Sequence, residues 1–481
     1  MSGKKIISLL QTFSRQDKIR FQKWLQSPFF NEDPQLLALF DQLEPIINGA
    51  SEVDKKRLWQ AVFGKSPYED IALRRIFSNL LAQAYHFLSI KQYQSHPLRQ
   101  KIDLLPLLTA PELATHYAGL VRNIEQSLAQ GKKEEDDFHY SLYRLTQNTH
   151  KSKELTGDLT ESCRRLEKAD FHFDQYYFIQ KLKHYCDALG YRNFISEEVD
   201  IKLLPGMMQY LKAQAFFDDL LIKAYYLVTE MLNSPEKETA FFQLKHLLFK
   251  KCSALPTSEL KTLFIHLYNY CIHKKINIGE TGFFSELFEI YQFALANGII
   301  YNEEGELVPQ DYKNIITVGL HVEAFDWVEN FIKEQTQDLP TDQRQNALTY
   351  NLAKVYFSRK QYEKVITQLQ EVEYDDIVYA LGSKLMLLKT YYELDEFLAL
   401  DSLIDSFRIY LRRNKTISTQ VKRQYLNILR FVKKMSAIGP YDTHAFKKLY
   451  QQAEDCKALA DKRWILDKIK TLGRWEPLTN N

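Results

Sequence analysis

The stretch TYNLAKVY (349–356), followed by VITQL (365–369), decides the fold of this chain. The same arrangement returns one helix pair later as KLMLLKTY (384–391) and LDSLI (400–404). A weaker copy precedes it as YKNIITVG (312–319) and VENFI (328–332), with Pro340 after it. In every copy the apolar residues step by three and four, which gives each segment one apolar helical face. An aromatic opens each second segment: Phe325, Tyr362 and Phe397. The copies lie about 35 residues apart, the length of two short helices and their turns. Helix pairs at that period stack into solenoids, which present grooves rather than catalytic clefts.

The first segments read Tyr312-x2-Ile315-Ile316-x2-Gly319, Thr349-x2-Leu352-Ala353-x2-Tyr356 and Lys384-x2-Leu387-Leu388-x2-Tyr391. The second segments read Val328-x3-Ile332, Val365-x3-Leu369 and Leu400-x3-Ile404. This block, residues 305–412, resembles the tetratricopeptide (TPR) repeat, with W-x2-L-G-x2-Y in one helix and A-x3-F in the next. It departs from that family at the Trp slot (Tyr312, Thr349, Lys384) and at the small Ala slot (Val328, Val365, Leu400), and only one copy keeps the proline. The layout is also similar to that of uncharacterised bacterial helical-repeat proteins, which implies no activity. The expected fold is all-α: an α-α superhelix of antiparallel helix pairs, TPR-like in its second half.

Working outward, residues 1–95 read as an N-terminal helical region. Ser14 with Asp17 forms a capping box for a helix that carries Phe21, Trp24 and Leu25 on one face, and Ser27-Pro28 ends it. Pro34 opens the next helix, Asp54 caps one with Leu58, Trp59, Val62 and Phe63, and Gly64 stops it. A longer helix from about Tyr68 carries Leu73, Ile76, Phe77, Leu80, Leu81, Tyr85 and Leu88 inward. Residues 96–111, with Pro97, Pro106 and Pro111 among leucines, read as a linker that packs down. Residues 112–300 read as an irregular helical bundle or a diverged α-solenoid. There Phe171, Phe173, Tyr176, Tyr177, Phe178 and Tyr185 have the spacing of a packed seam. Residues 301–412 hold the repeats, and 413–481 read as capping helices anchored by Trp464 and Ile465, with a polar tail from Glu476.

Composition agrees with that reading. The 481 residues include only 16 Gly and 14 Pro, beside 29 Tyr and 30 Phe, so helix breakers are scarce. Lys plus Arg is 63 against 61 for Asp plus Glu, a net charge of +2 with no global bias toward nucleic acid or an anionic membrane. Cys163, Cys186, Cys252, Cys271 and Cys456 lack CxxC spacing, which fits free thiols in a reducing compartment. With no apolar run long enough for a signal or a membrane span, the expected address is the cytoplasm and no membrane partner is expected.

The chemistry-bearing motifs are missing. There is no GxxxxGK[ST], GxGxxG, GxSxG or HExxH, and Gly279-Glu280-Thr281-Gly282 reads as an inter-helix turn. His266, Cys271 and His273, and His184 with Cys186, read as core residues rather than metal ligands, and Glu134-Glu135-Asp136-Asp137 as a solvated loop. No cofactor and no catalytic residue are expected, and the chain reads as a non-catalytic adaptor rather than an enzyme.

In helical-repeat arrays the first helix of each pair lines the groove. Here that set is Lys313, Asn314, Tyr350, Asn351, Lys354, Lys389 and Tyr392, suited to a protein or peptide partner. The lysines sit at unmatched offsets, so the carboxylate clamp of some TPR domains does not transfer. Charge is also uneven along the chain. Residues 302–342 hold ten acids and two lysines, whereas 406–441 hold no acid and nine bases: Arg408, Arg412, Arg413, Lys415, Lys422, Arg423, Arg430, Lys433 and Lys434. That segment is the alternative site, for nucleic acid, against the simpler reading of a solvated helix pair.

Overall fold

The computed structural model describes residues 3–47, 55–130, 138–155, 157–191, 206–369, 377–439 and 442–473. Among them the chain is all-helical, with 23 α-helices, short 3-10 turns and no strand. It divides into two compact units, Met1–Lys181 with Gln214–Ile222, and Leu182–Ala213 with Lys223–Asn481. Asp54, the acidic run 134–137 and the tail from 476 lie outside the described residues.

In the first unit, α1 (Gly3–Gln11), α2 (Arg15–Gln26), α3 (Pro34–Ile47), α4 (Lys55–Phe63) and α5 (Asp70–Gln94) enclose one apolar core. The Ser14 Oγ accepts from the Asp17 N–H at 3.1 Å and donates to the Asp17 carboxylate at 2.8 Å. Such a cap is worth about 1 kcal/mol, and it starts α2 in the phase that turns Phe21, Trp24 and Leu25 inward. Gly64 stops α4 at φ +66°. The long fifth helix begins at Asp70, and Tyr85, expected on its inner face, is 54% exposed.

The proline-rich segment 96–111 is itself helical. Pro97 starts α6 (Pro97–Leu104), and Pro106 and Pro111 each stand in the first turn of a 3-10 segment, where a missing N–H costs nothing. Ile102 and Leu105 are buried with Ile124 of α7 (Ala114–Gln130) and Leu145 of α8 (Phe138–Leu155). The aromatic seam expected on α9 (Leu159–Tyr191) holds in part: Phe173 and Tyr176 meet Tyr143 and Tyr140 of α8, each at 5.1 Å, and Phe171 and Phe178 meet Phe216 at 5.9 and 5.8 Å. Of its six rings only Phe178 is buried, while Phe171, Phe173 and Tyr177 are exposed. The buried stripe is instead Ala169, Gln175, Phe178, Ile179, Leu182, Cys186 and Leu189, which follows the 3.6-residue period.

The second unit continues through α10 (Met207–Ala213), α11 (Leu220–Asn233), α12 (Thr239–Lys251), α13 (Thr257–Asn269) and α14 (Phe283–Ala296). The repeat block then supplies three helix pairs: α15 (Pro309–His321) with α16 (Phe325–Gln335), α17 (Arg344–Ser358) with α18 (Tyr362–Leu369), and α19 (Ile377–Glu393) with α20 (Phe397–Arg413). Each helix packs on the next in sequence, and the first helices also pack on one another, α15 on α17 and α17 on α19.

The three pairs share one turn. Glu323, Lys360 and Asp395 take φ of +58°, +58° and +56°. The next N–H closes back in each case: Ala324 onto the Gly319 carbonyl, Gln361 onto Tyr356 and Glu396 onto Tyr391, at 2.9, 2.8 and 3.0 Å. This is the left-handed helix stop, made by non-glycine residues. The repeat slots fall inside: Ile315, Ile316, Ala353, Leu388, Val328, Ile332, Val365, Leu369, Leu400 and Ile404 are all buried. At Gly319 a Cβ would lie 2.4 Å from Val328 Cγ2, so the glycine sets how closely α15 and α16 approach.

α21 (Thr419–Ala437), α22 (Thr443–Glu454) and α23 (Lys462–Gly473) share an apolar core with α19 and α20. α22 stops at Glu454. Ile465 is fully buried and Trp464 partly so, consistent with their reading as anchors.

Candidate functional site

The first helices of the three pairs bring most of the expected groove set onto one surface. Lys313 reaches over the Tyr379 ring, with Nζ 5.4 Å from its centroid, and Tyr379 packs edge-on against Tyr350 at 5.4 Å. Tyr350 lies against Gly382, where a Cβ would fall within 2.9 Å of three of its ring and hydroxyl atoms. Asn314 accepts from the Gln310 side chain at 3.0 Å. Two of the expected residues do not line this surface. Asn351 is 1% exposed and donates to the Ala347 carbonyl at 2.8 Å, and Tyr392 is 8% exposed within the core. The first is drawn inward by a backbone acceptor, the second by the apolar contacts of its ring.

The lysine offsets need correction. Counting from the first slot of each repeat (Tyr312, Thr349, Lys384), Lys354 and Lys389 hold the same position, and Thr317 holds it on α15. Only Lys313 is out of register, one turn earlier on the Thr317 face. The Lys354 Nζ lies 3.5 Å from the Thr317 Oγ1, a long and weak contact. Thr317 spends its own proton on the Lys313 carbonyl at 2.8 Å. Among the described residues no carboxylate lies within ion-pair distance of Lys354.

The matching slot on α19 is filled. Lys389 pairs with the Asp461 carboxylate at 2.8 Å and stands over Phe357 and Trp464, at 4.8 and 5.4 Å from their centroids. Asp461 and Trp464 belong to the start of α23, which is held further along by Lys468 on Glu393 at 2.5 Å. A cavity of about 330 Å³ opens beside this contact, lined by Phe357, Tyr362, Glu393, Trp464, Lys468 and Thr471 among others. Thr317, Asp461 and the ring partners of Lys389 were not foreseen. The repeat register alone would have found Thr317.

The electrostatics follow from these positions. Lys354 is half-buried, and its ammonium is held down to about 8, first by desolvation and then by the charges of Lys313 and Lys389. Lys384, over the Tyr410 ring at 5.1 Å, is lowered by burial. Among the described residues Lys313 and Lys354 therefore carry ammonium groups with no carboxylate at ion-pair distance, set among aromatic rings, while Lys389 is paired with Asp461.

The basic segment is spread over α20, the following turn and α21. Arg408 pairs with Asp405 at 3.3 Å and Lys433 with Asp401 at 3.6 Å, while Lys434 donates to Gln452 at 2.8 Å. Lys422 is half-buried. Arg412, Arg413, Lys415, Arg423 and Arg430 are exposed, with no acidic partner among the described residues. The buried stripe Ile428, Leu429, Phe431, Val432 and Met435 forces the charges of α21 onto its outer side.

Elsewhere, polar groups are used structurally. Cys186, pushed up to about 12 by burial, lies 3.4 Å from the Thr229 hydroxyl, and His266 and Cys271 are core residues. In the first unit a cavity of about 670 Å³ is lined by Glu125, Glu161, Arg164, Arg165, Lys168 and His172 among others. Arg165 and Glu161 neutralise one another there at 2.9 Å. No described helix is long and apolar enough to cross a membrane, and no described group of three His, Cys, Asp or Glu is placed to hold a metal. No protein-family profile matches this chain, and neither does any curated protein or solved structure.

Proposed function

We propose that this protein is a non-catalytic adaptor, and that the helix pairs of residues 301–412 form a TPR-like solenoid whose first helices hold a segment of a protein partner. The observation that supports this is the gathering of Lys313, Lys354 and Lys389 on three successive first helices, among Tyr350, Tyr379, Phe357 and Trp464. Rings and a few fixed charges are what an extended segment needs: area for affinity, polar groups for register. A cytoplasmic location belongs to the same reading, since its thiols are unpaired. The test is purification of the tagged chain from its native cells, with and without nuclease. A stoichiometric protein that survives nuclease, and is lost on Lys354→Glu with Lys389→Glu, supports the groove. Retention by that variant overturns it.

A second reading, nucleic-acid binding by residues 406–441, is favoured by the five exposed bases Arg412, Arg413, Lys415, Arg423 and Arg430, which have no acidic partner among the described residues. Residues 440 and 441 of that segment lie outside the described residues. It requires affinity that falls steeply with salt, because contacts to phosphates release counterions. Salt-insensitive retention of a protein with no co-eluting nucleic acid rules it out.

A further inference from the structure

In the first unit three buried polar atoms without a hydrogen-bond partner among the described residues gather at one place: His139 Nδ1 of α8, and His172 Nδ1 and Gln175 Oε1 of α9. His139 and Gln175 are each 6% exposed, the two imidazole centres lie 6.1 Å apart, and the Gln175 side chain lies beside His172, one helical turn away. A polar atom orphaned at such depth is costly, and three together mark a place where a further group supplies the partner. The other edge of His139 says what kind of group. Its Nε2 lies 3.1 Å from Asp219 Oδ2, while Asp219 Oδ1 accepts from the Leu221 and Ile222 N–H groups at 3.0 and 3.1 Å in the first turn of α11. A carboxylate only accepts, so the His139 proton sits on Nε2 and its Nδ1 carries a free lone pair.

We propose that His139 Nδ1, His172 Nδ1 and Gln175 Oε1 bind a divalent transition-metal ion, zinc by preference, which fastens α8 to α9. Imidazole nitrogens suit such an ion, and a ligating histidine characteristically gives its other N–H to a carboxylate, as His139 does to Asp219. Asp219 thus stands behind the ligands rather than among them, fixed in turn by its cap on α11. Two imidazoles on one zinc, with Zn–N about 2.1 Å, have ring centres roughly 5–6 Å apart, so the observed separation needs only a small closing movement. A cation satisfies the three acceptors together, and a water takes the fourth, open position. The cavity of about 670 Å³, which His172 also lines, gives the ion its way in.

The test uses the full chain, freed of metal with a chelator, and zinc alone, with affinity read by competition against a chromogenic zinc indicator. The native chain should take up one equivalent, and zinc should raise its melting temperature, because the ion binds the folded form. His172→Leu removes an orphaned nitrogen at a half-buried position and should abolish both effects. Asp219→Asn should weaken zinc about 10- to 100-fold. Asparagine keeps the α11 cap through its oxygen but turns an amide N–H toward His139, which drives the imidazole proton onto Nδ1, the ligand atom. An aspartate that served only the helix cap would show no such loss in a variant whose circular dichroism is native. Should Asp219→Asn fail to fold, His172→Leu decides alone. His266→Gln, at a buried histidine of the second unit, should leave the affinity unchanged. Zinc retained by His172→Leu sits on thiols or surface histidines and overturns the proposal. So does a native chain that takes up no zinc, or a loss shared equally by His266→Gln.

Discussion

Lys354 and Lys389 stand at one position of consecutive helix pairs, and among the described residues only Lys389 meets a carboxylate, Asp461 Oδ2 at 2.8 Å. The two lysines should therefore respond oppositely to loss of charge. Asp461→Asn keeps the side chain that best tolerates the left-handed backbone at φ +44°, yet leaves Lys389 half-buried and unpaired. It should destabilise by about 1–2 kcal/mol at pH 7. Lys354→Met removes a desolvated charge from beside two others and should raise the melting temperature. Denaturation of both variants by circular dichroism checks this, and shifts of the same sign would refute it.

The Gly319–Val328 contact makes a sharper steric claim. Gly319→Ala drives a methyl to 2.4 Å from Val328 Cγ2 and 3.1 Å from Phe288 Cε2. The β-branched valine cannot swing away, so the variant should lose about 1–3 kcal/mol in urea unfolding, as overpacked cores do. Val328→Ala in the same chain should return part of that loss. A double variant no better than the sum of its singles would show that the clash lies elsewhere.

How much of this was legible in sequence depends on the reach of each interaction. The α15–α20 pairs were readable because an apolar slot every three or four residues is a local signal, repeated in Leu352, Ala353 and Leu388. So was the Ser14 cap, which is satisfied within three residues. The seam of α9 was read as more deeply buried than it is, because ring spacing was taken for burial. In a helix of 33 residues only one stripe is buried, and Phe173 falls off it, while Phe171 lies on its line yet stays exposed. Asn351 was misplaced because its partner is the Ala347 carbonyl, a backbone group that the side-chain pattern does not display. The Lys389–Asp461 pair spans 72 residues and three intervening helices, and no periodicity encodes such a meeting.

His266 gives a pH signature. Burial holds its imidazole down to about 4, and its Nε2 has no hydrogen-bond partner among the described residues. In the unfolded chain it titrates near 6.5. Between pH 6.5 and 4 the unfolded state therefore binds a proton that the folded state refuses, so stability falls as pH drops through that window and levels off below it. A shift of this size corresponds to about 3 kcal/mol. His266→Gln should flatten that part of the stability profile. An unchanged slope between pH 4 and 6.5 would show that His266 is protonated within the fold.

A buried ion pair should be the costliest single site. Glu259, 5% exposed, accepts from Lys183 at 2.5 Å and from the Tyr225 hydroxyl at 2.7 Å. Glu259→Leu removes the buried carboxylate to which Lys183 and Tyr225 both donate and should cost about 3–5 kcal/mol, whereas Lys183→Met with Glu259→Leu should recover most of it. Chemical denaturation of the single and double variants separates the penalty of removing one partner from the net worth of the pair. A double variant as unstable as the single one would mean that the contact itself stabilises.

The shared turn yields the last prediction. Glu323, Lys360 and Asp395 hold left-handed backbone that an L side chain occupies at a cost of about 1 kcal/mol, while glycine carries no such penalty. Glycine also loses more freedom on folding, so the two effects partly cancel. Glu323→Gly and Asp395→Gly should each be neutral to stabilising by up to about 1 kcal/mol. Glu323→Val, with a β-branched side chain at φ +58°, should instead be destabilising by about 1–2 kcal/mol. The turns lie in separate helix pairs and share no partner, so the two glycine effects should add. If valine proved as stable as glycine at Glu323, the turn would not be held in its left-handed form, and the common turn that relates the three pairs would fail at its first member.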